Sequence, residues 1–259
     1  MSRPVALVTG ASAGIGDAFA RLLAARAYNL IVVARDVARL DALAKELHEQ
    51  HRTETEVIGA DLSDPSQLAT VEARLAADPA VDLLINNAGF GTAGQFHELD
   101  RDGEARMVAL NVGALVRLTH AALGPMVQRG RGGVLNVASL AAFQPSAGMA
   151  TYAATKSFVL SFTQSVHEEV RGTNVKVSCL CPGFTRTEFQ QRANVEAEKM
   201  PGFVWQSAEE VAAAGLAGLE KNKAVVLPGA LNKITAGVVG VMPTTVTRKV
   251  ASALSRNYL

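Results

Sequence analysis

Seven short apolar runs recur along the chain, separated by stretches of helical length. That order constrains the fold more than any other feature. The runs are VALVT (5–9), LIVVA (30–34), EVIGA (56–60), DLLIN (82–86), GVLNVA (133–138), VKVSCLC (175–181) and AVVLP (224–228). None alternates strictly between apolar and polar residues, the pattern of strands covered on both faces. Between them lie residues 14–26, 37–50, 66–77, 103–129 and 152–171, each long enough for a helix. Asp64-Pro65 pairs an N-cap with a proline at the first helical position, a strong helix start. Strand–helix alternation along the whole length predicts an α/β fold. The expected form is a doubly wound parallel sheet of about seven strands, with right-handed crossovers and helices on both faces. No internal repeat, low-complexity tract or linker interrupts the pattern, so residues 1–259 read as one domain.

Composition agrees and removes several alternatives. The chain is 49% hydrophobic and 19% charged, which suits a well-buried α/β core. A net charge of +1 supplies no field that would draw nucleic acid. Two cysteines argue against a disulfide framework, and Cys179 and Cys181 read as buried strand residues. The histidines at 48, 51, 97, 120 and 167 have no ligand spacing, so no metal site is expected. The N-terminus lacks a basic–apolar–cleavage pattern, and the late apolar stretch Ile234–Thr247 is too short to span a bilayer and contains Pro243. The expectation is a soluble, cytoplasmic protein.

In such a sheet, ligands bind outside the C-terminal ends of the strands, where the strand order reverses. The first run ends in TGASAGIG (9–16), with Gly10, Gly14 and Gly16 between a strand and a helix. Glycine permits the tight turn and close approach of a pyrophosphate, and the helix N-terminus offers free N–H groups to the anion. The absence of G-K-[ST] disfavours a P-loop kinase or ATPase. The second run ends VVARD (32–36). An aspartate at its tip would bond the ribose hydroxyls of NAD and repel a 2′-phosphate. The tip instead carries Ala34 and Arg35, and an arginine grips a 2′-phosphate, which favours NADP(H) over NAD(H). Asp36 is placed to cap the following helix, and Arg39, one turn on, either assists Arg35 or faces solvent. The remaining runs end in ADLSD (60–64), NNAGFG (86–91), Ser139 and CPGFTRTEF (181–189), polar tips set around one rim. TYAATK (151–156) places Tyr152 and Lys156 on one helix face; alone it is a weak motif.

Taken together, these segments resemble the short-chain dehydrogenase/reductase family, whose sheet is Rossmann-like. The resemblance runs from residue 4 to about 228. It rests on T-G-x-x-x-G-x-G at 9–16, Asp61-Leu62, N-N-A-G at 86–89 and Asn111. It continues through Ser139, Tyr152-x-x-x-Lys156 and P-G-x-x-x-T from Pro182 to Thr187. The extra basic residue that the family's NADPH-preferring members carry inside the glycine turn is absent, because position 13 is alanine. The resemblance implies that Tyr152 is the general acid/base and that Lys156 lowers its pKa and holds the nicotinamide ribose. It implies that Ser139 positions the substrate oxygen and that Asn111 holds a water leading to Lys156. It further implies cofactor contacts from Gly10, Ser12, Ala13, Gly14, Ile15, Gly16, Arg35, Asp61 and Leu62. Asn87, Ala88, Gly89, Tyr152, Lys156, Pro182, Gly183, Phe184, Thr185 and Thr187 complete that set. The substrate would be a small carbonyl compound or alcohol, the protein a homodimer or homotetramer.

Substrate identity is expected to lie in residues 141–151, in a lid at about 188–206 and at the C-terminus. Phe143, Met149, Phe189, Phe203 and Trp205 there point to a largely apolar substrate, unless they only pack the lid onto the sheet. After Glu220 the chain has no acidic residue but carries Lys221, Lys223, Lys233, Arg248, Lys249 and Arg256. Segments 230–240 and 244–256 of this extension (229–259) read as amphipathic helices. Three roles fit them: closing over the site, making a subunit contact, or touching an anionic membrane surface weakly. A catalytically weak dinucleotide sensor or scaffold is the alternative function for the same fold. The intact Asn111, Ser139, Tyr152 and Lys156 set argues against it.

Overall fold

The seven apolar runs become seven parallel strands of one sheet: β1 (Val5–Thr9), β2 (Asn29–Ala34), β3 (Thr55–Gly59), β4 (Val81–Asn86), β5 (Gly132–Val137), β6 (Val175–Leu180) and β7 (Val225–Val226). They are seen in a computed structural model that describes residues 3–77, 81–193, 201–241 and 245–248. The spatial order is β3-β2-β1-β4-β5-β6-β7. The chain therefore starts at the centre, winds out to β3, crosses back and winds out to β7. The order reverses between β1 and β4, and the crevice opens at their C-terminal ends. All six strand pairings are parallel.

Two apolar layers sandwich the sheet. On one face, α1 (Gly14–Ala25), α2 (Val37–His51) and α8 (Ala208–Glu220) pack on residues such as Ala6, Val8, Leu30, Val32, Ile85 and Leu135. On the other, α3 (Pro65–Ala77), α5 (Leu115–Gln128) and α6 (Ala150–Glu169) cover Leu7, Ile31, Leu84, Val134 and Val177. Successive strand residues feed opposite layers, which is why the runs show no polar alternation. Asp64 accepts hydrogen bonds from Ser66 N at 2.8 Å and Gln67 N at 3.3 Å, so it caps α3 as the sequence suggests.

The long segment expected as one helix at 103–129 is divided. Regular α4 (Arg101–Val108) passes into a π-helical stretch, Ala109–Ala114, and then into α5. By length and composition the combined run Arg101–Gln128 could cross a membrane; here it packs on the sheet and on α3 and α6. The seventh strand is shorter than AVVLP suggested, because only Val225 and Val226 pair with β6. Beyond β6, α7 (Phe189–Arg192) lies in an excursion whose base is closed by a Thr185–Gln206 bridge. Of the expected lid, residues 194–200 lie outside the described residues. Of the second C-terminal segment, only 245–248 are described. α9 (Ala230–Val241) packs against the 3-10 turn Leu140–Phe143, and Asn232 sits under the Pro182–Gly183 turn, where a Cβ on Gly183 would lie 2.6 Å from its amide. α9 thus closes over the rim of the sheet. Leu231, Ile234 and Val238 remain exposed on its outer side.

Candidate active site

The glycine turn forms the floor of the crevice. Gly10 and Gly14 have φ of +67° and +59°, a region glycine enters without steric cost. Gly16 is required for a different reason: a Cβ there would stand 2.1 Å from the Gly10 carbonyl oxygen. α1 starts after Ala13 with no side-chain cap, so its first-turn N–H groups, next to Ser12 and Ile15, stay available to an anion. Thr9 ties this turn to the β4 end: its hydroxyl accepts from Asn87 N at 2.9 Å and Ala88 N at 3.0 Å. Asn87 Nδ2 in turn donates to the Thr9 carbonyl at 2.9 Å. The uncapped helix start and the glycine cradle fit a dinucleotide pyrophosphate.

At the β2 tip the Arg35 side chain is 76% exposed, with its guanidinium 3.9 Å from the Asp61 carboxylate. Asp61 itself is held by Ser63, whose N and Oγ donate to it at 2.9 and 2.7 Å, and Leu62 beside it is buried. Asp36 caps α2, accepting from Arg39 N at 3.0 Å. Arg39 neither joins Arg35 nor faces solvent freely: it donates to Glu188 at 2.8 and 3.1 Å.

The Tyr152 and Lys156 side chains meet as their spacing predicts, with Lys156 Nζ 5.7 Å from the centre of the Tyr152 ring. Both are buried. Lys156 Nζ donates to the Val137 carbonyl at 2.9 Å, which orients it at the end of β5. Ser139, two residues on, caps the following turn by accepting from Ala141 N at 3.1 Å. Burial pushes the Tyr152 phenol up to about 12, and the Ser139 hydroxyl draws it back only in part. Burial also lowers Lys156 to about 8, against the smaller opposing influence of Cys179 and Cys181. The expected lowering of Tyr152 draws on Lys156, an oxidised nicotinamide and the helix N-terminus together; among the protein's own groups the balance is different. The ammonium lies beside the ring and is committed to a carbonyl, so desolvation wins. The two thiols are free and buried, with their sulfurs 3.8 Å apart; the mutual hydrogen bond and burial hold Cys181 above its usual value.

Asn111 stands in the π-helical stretch, and its side chain is fully engaged. Its Oδ1 accepts from Phe90 N at 3.1 Å, and its Nδ2 donates to the Phe90 carbonyl at 2.9 Å and to Thr155 Oγ1 at 3.1 Å. Thr155 donates on to the Tyr152 carbonyl at 2.7 Å. The loop after β4 and α6 are thus locked together through one amide. A Cβ on Gly89 would meet Asn111 Oδ1 at 2.9 Å and Lys156 Nζ at 3.4 Å, so the loop lies directly over the lysine.

Of the apolar candidates, Phe189 comes to the site, its ring 5.3 Å from that of Tyr152. A Cβ on Gly91 would be 2.9 Å from both rings. Phe143 packs into a small core cluster with Val159 and Cys179, and Met149 precedes α6. Trp205 packs on Phe184, ring centres 5.6 Å apart, and under the Arg186 guanidinium. Phe203 is 78% exposed. Thr185 and Thr187 follow the turn; Thr185 is buried, and the Thr187 methyl would be 2.9 Å from a Cβ on Gly14. Sequence reasoning missed Thr155, Gly91, Glu188 and Asn232. Gly91 was visible in NNAGFG; the others carry no local signal.

Comparison with known proteins agrees with this arrangement. The family model for short chain dehydrogenase matches residues 4–198. A short-chain dehydrogenase from Sphingobium yanoikuyae, solved with NADPH, superposes with a TM-score of 0.84 at 36% identity, covering 93% of this chain and 96% of that one. The bulky-bulky ketone specific alcohol dehydrogenase of Comamonas testosteroni gives 0.80 at 34% identity, covering 94% and 96%. The sulfoacetaldehyde reductase of Chromohalobacter salexigens is 37% identical over 188 residues, 70% of this chain and 72% of that protein. A doubly wound parallel sheet, a glycine turn at its switch point and a Tyr-x-x-x-Lys helix beside it place this chain in the short-chain dehydrogenase/reductase family of oxidoreductases.

Proposed function

We propose that the protein is an NADP(H)-dependent carbonyl reductase, or in reverse a secondary-alcohol dehydrogenase, acting on a largely apolar substrate. The observation that carries this reading is the buried Tyr152–Lys156 pair with half-buried Ser139 at the end of β5, beside a cradle built for a dinucleotide. Gly10 to Gly16 would hold the pyrophosphate, Arg35 a 2′-phosphate, and Asn87 to Gly89, Lys156 and Pro182 to Thr187 the nicotinamide half. The bound nicotinamide supplies the hydride.

The chain's own residues supply position and a proton. Reduction adds hydride at the carbonyl carbon and a proton at its oxygen. Tyr152 Oη is the donor, and a phenol held near about 12 is fully protonated at neutral pH. Lys156, held near about 8, is still mostly a cation there and favours the phenolate left behind. Ser139 would fix the substrate oxygen, and Asn111 keeps loop and helix in register. Phe189 offers an apolar wall to the mouth, and the expected contribution of Met149 would come from the start of α6. The Comamonas enzyme, specific for bulky-bulky ketones, supports a bulky substrate, and the Sphingobium complex supports NADPH. We take residues 1–259 as one soluble catalytic domain. Exposed Val108, Val127 and Phe158 on α4, α5 and α6 support a homo-oligomer.

The test follows loss of reduced-cofactor absorbance with a panel of bulky ketones, diketones and aldehydes, NADPH against NADH, with Tyr152→Phe as the control. Turnover preferring NADPH and absent from the variant is expected. Equal turnover by Tyr152→Phe would reject the catalytic assignment, and preference for NADH would reject the Arg35 assignment alone.

A further inference from the structure

One short segment touches both ends of the cofactor crevice. Glu188 receives the Arg39 guanidinium at 2.8 and 3.1 Å, at the adenosine end. The next residue, Phe189, lies on Tyr152 with ring centres 5.3 Å apart, at the catalytic end. Arg39 lies in the first turn of α2, four residues after Arg35 at the β2 tip. Thr187, just before Glu188, faces the glycine turn: its methyl would stand 2.9 Å from a Cβ on Gly14.

We propose that Glu188 is a specificity-determining latch: a 2′-phosphate competes with it for Arg39, and its release lifts Phe189 off Tyr152. The idea rests on the NADP(H) reading above. A 2′-phosphate carries close to two negative charges and three acceptor oxygens, and it binds guanidinium in the same bidentate manner as a carboxylate. Beside Arg35 it would draw Arg39 and repel Glu188. The Arg39 and Glu188 side chains are 48% and 42% exposed, and an ion pair in that setting is held weakly enough to exchange. NAD(H), with only ribose hydroxyls at that position, leaves the pair intact. Release is coupled to opening because Glu188 is the N-cap residue of α7, its carboxylate is also held by Arg192 of that helix, and Phe189 is the helix's first residue. Opening matters because the Phe189 ring packs against that of Tyr152, which is 8% exposed.

Trp205, the single tryptophan, lies in the same excursion and reports on it without turnover. The probes are adenosine 2′,5′-bisphosphate and ADP, titrated by calorimetry and by Trp205 emission and acrylamide quenching. The bisphosphate is expected to shift the emission and increase quenching, and ADP to do neither. Glu188→Gln should show the shifted emission without ligand, bind the bisphosphate about threefold tighter, and respond no further. If the bisphosphate binds better than ADP while Trp205 is unmoved in both proteins, the latch is refuted and the NADP(H) reading stands. If the two nucleotides bind equally, the NADP(H) reading fails and takes the latch with it.

Discussion

The two ends of the crevice are built in opposite ways. At the proposed catalytic end Asn111, Tyr152, Thr155 and Lys156 are 1–8% exposed and interlocked by hydrogen bonds of 2.7–3.1 Å. At the adenosine end Arg35 and Arg39 are 76% and 48% exposed and joined to Asp61 and Glu188 across open surface. Groups whose protonation enters a reaction need a fixed position and a perturbed environment, and burial supplies both. Groups that only distinguish a phosphate from a hydroxyl can work from solvent, where each charge counts for little and is readily exchanged. Substitutions should therefore have large effects at one end and graded effects at the other.

The largest contrast is expected from Tyr152→Phe. It removes one buried hydroxyl and should reduce kcat by about 10²–10⁴-fold. Cofactor affinity, measured by fluorescence titration, should stay within a factor of about two. A parallel loss of affinity would mean that the phenol holds the cofactor rather than the proton. Next comes Gly16→Ala, where the new methyl would meet the Gly10 carbonyl 2.1 Å away. Rebuilding that turn should weaken binding of either cofactor roughly a hundredfold. Normal affinity by calorimetry would show that the turn yields, and that the floor of the crevice is less fixed than the catalytic end.

Burial at the catalytic end has a measurable pH signature. Lys156 falls from the usual lysine range to about 8, so the unfolded chain binds more protons between there and about 10.5. Its charge therefore costs stability below about pH 8, and the cost is relieved as pH rises through that window. Tyr152, raised to about 12, acts in the other direction: the native state keeps its proton while the unfolded chain loses it, so stability falls above about pH 10. Urea unfolding of wild type against Lys156→Met should show wild type gaining on the order of 2 kcal/mol between pH 7.5 and pH 10. A flat difference would mean that the ammonium is solvated.

The same contrast explains what could be read from the sequence. Strand-end chemistry was legible because a parallel sheet sends every strand tip to one rim: Gly10, Asn87, Ser139 and Pro182 all fell where the alternation put them. Tyr152 and Lys156 were legible because helical spacing alone brings them together. The π-helical stretch at Ala109–Ala114 was not, since its residues have no distinctive periodicity and one helix was the simpler expectation. Neither was Arg39–Glu188, a contact across 149 positions that depends on how the β6 excursion folds back over α2. The burial that raises the Tyr152 phenol among the protein's own groups was not legible, because spacing reveals a neighbouring cation but neither how deeply both groups are buried nor that Val137 claims the ammonium.

At the exposed end, Arg35→Ala should raise the NADPH Kd about tenfold and leave NADH unchanged, a difference of about 1.4 kcal/mol. Equal weakening of both would move the phosphate-reading role elsewhere on the rim.

Asp36 offers the smallest and most discriminating effect. It has two roles at once: its carboxylate accepts from Arg39 N at 3.0 Å as the α2 cap, and it stands 3.4 Å from the Arg39 guanidinium as a counter-charge. Asp36→Ala loses both, so it should cost about 1 kcal/mol of stability while tightening NADPH binding slightly. Asp36→Ser keeps a capping oxygen and loses only the charge. It should unfold with wild type in urea yet share the tighter binding, about two- to threefold, and that gain should shrink in high salt. Were Asp36→Ser to bind NADPH no better than wild type, the carboxylate would be a cap alone. The neutral residue at 34 and the arginine at 35 would then suffice to set cofactor choice, with the aspartate beside them electrostatically silent.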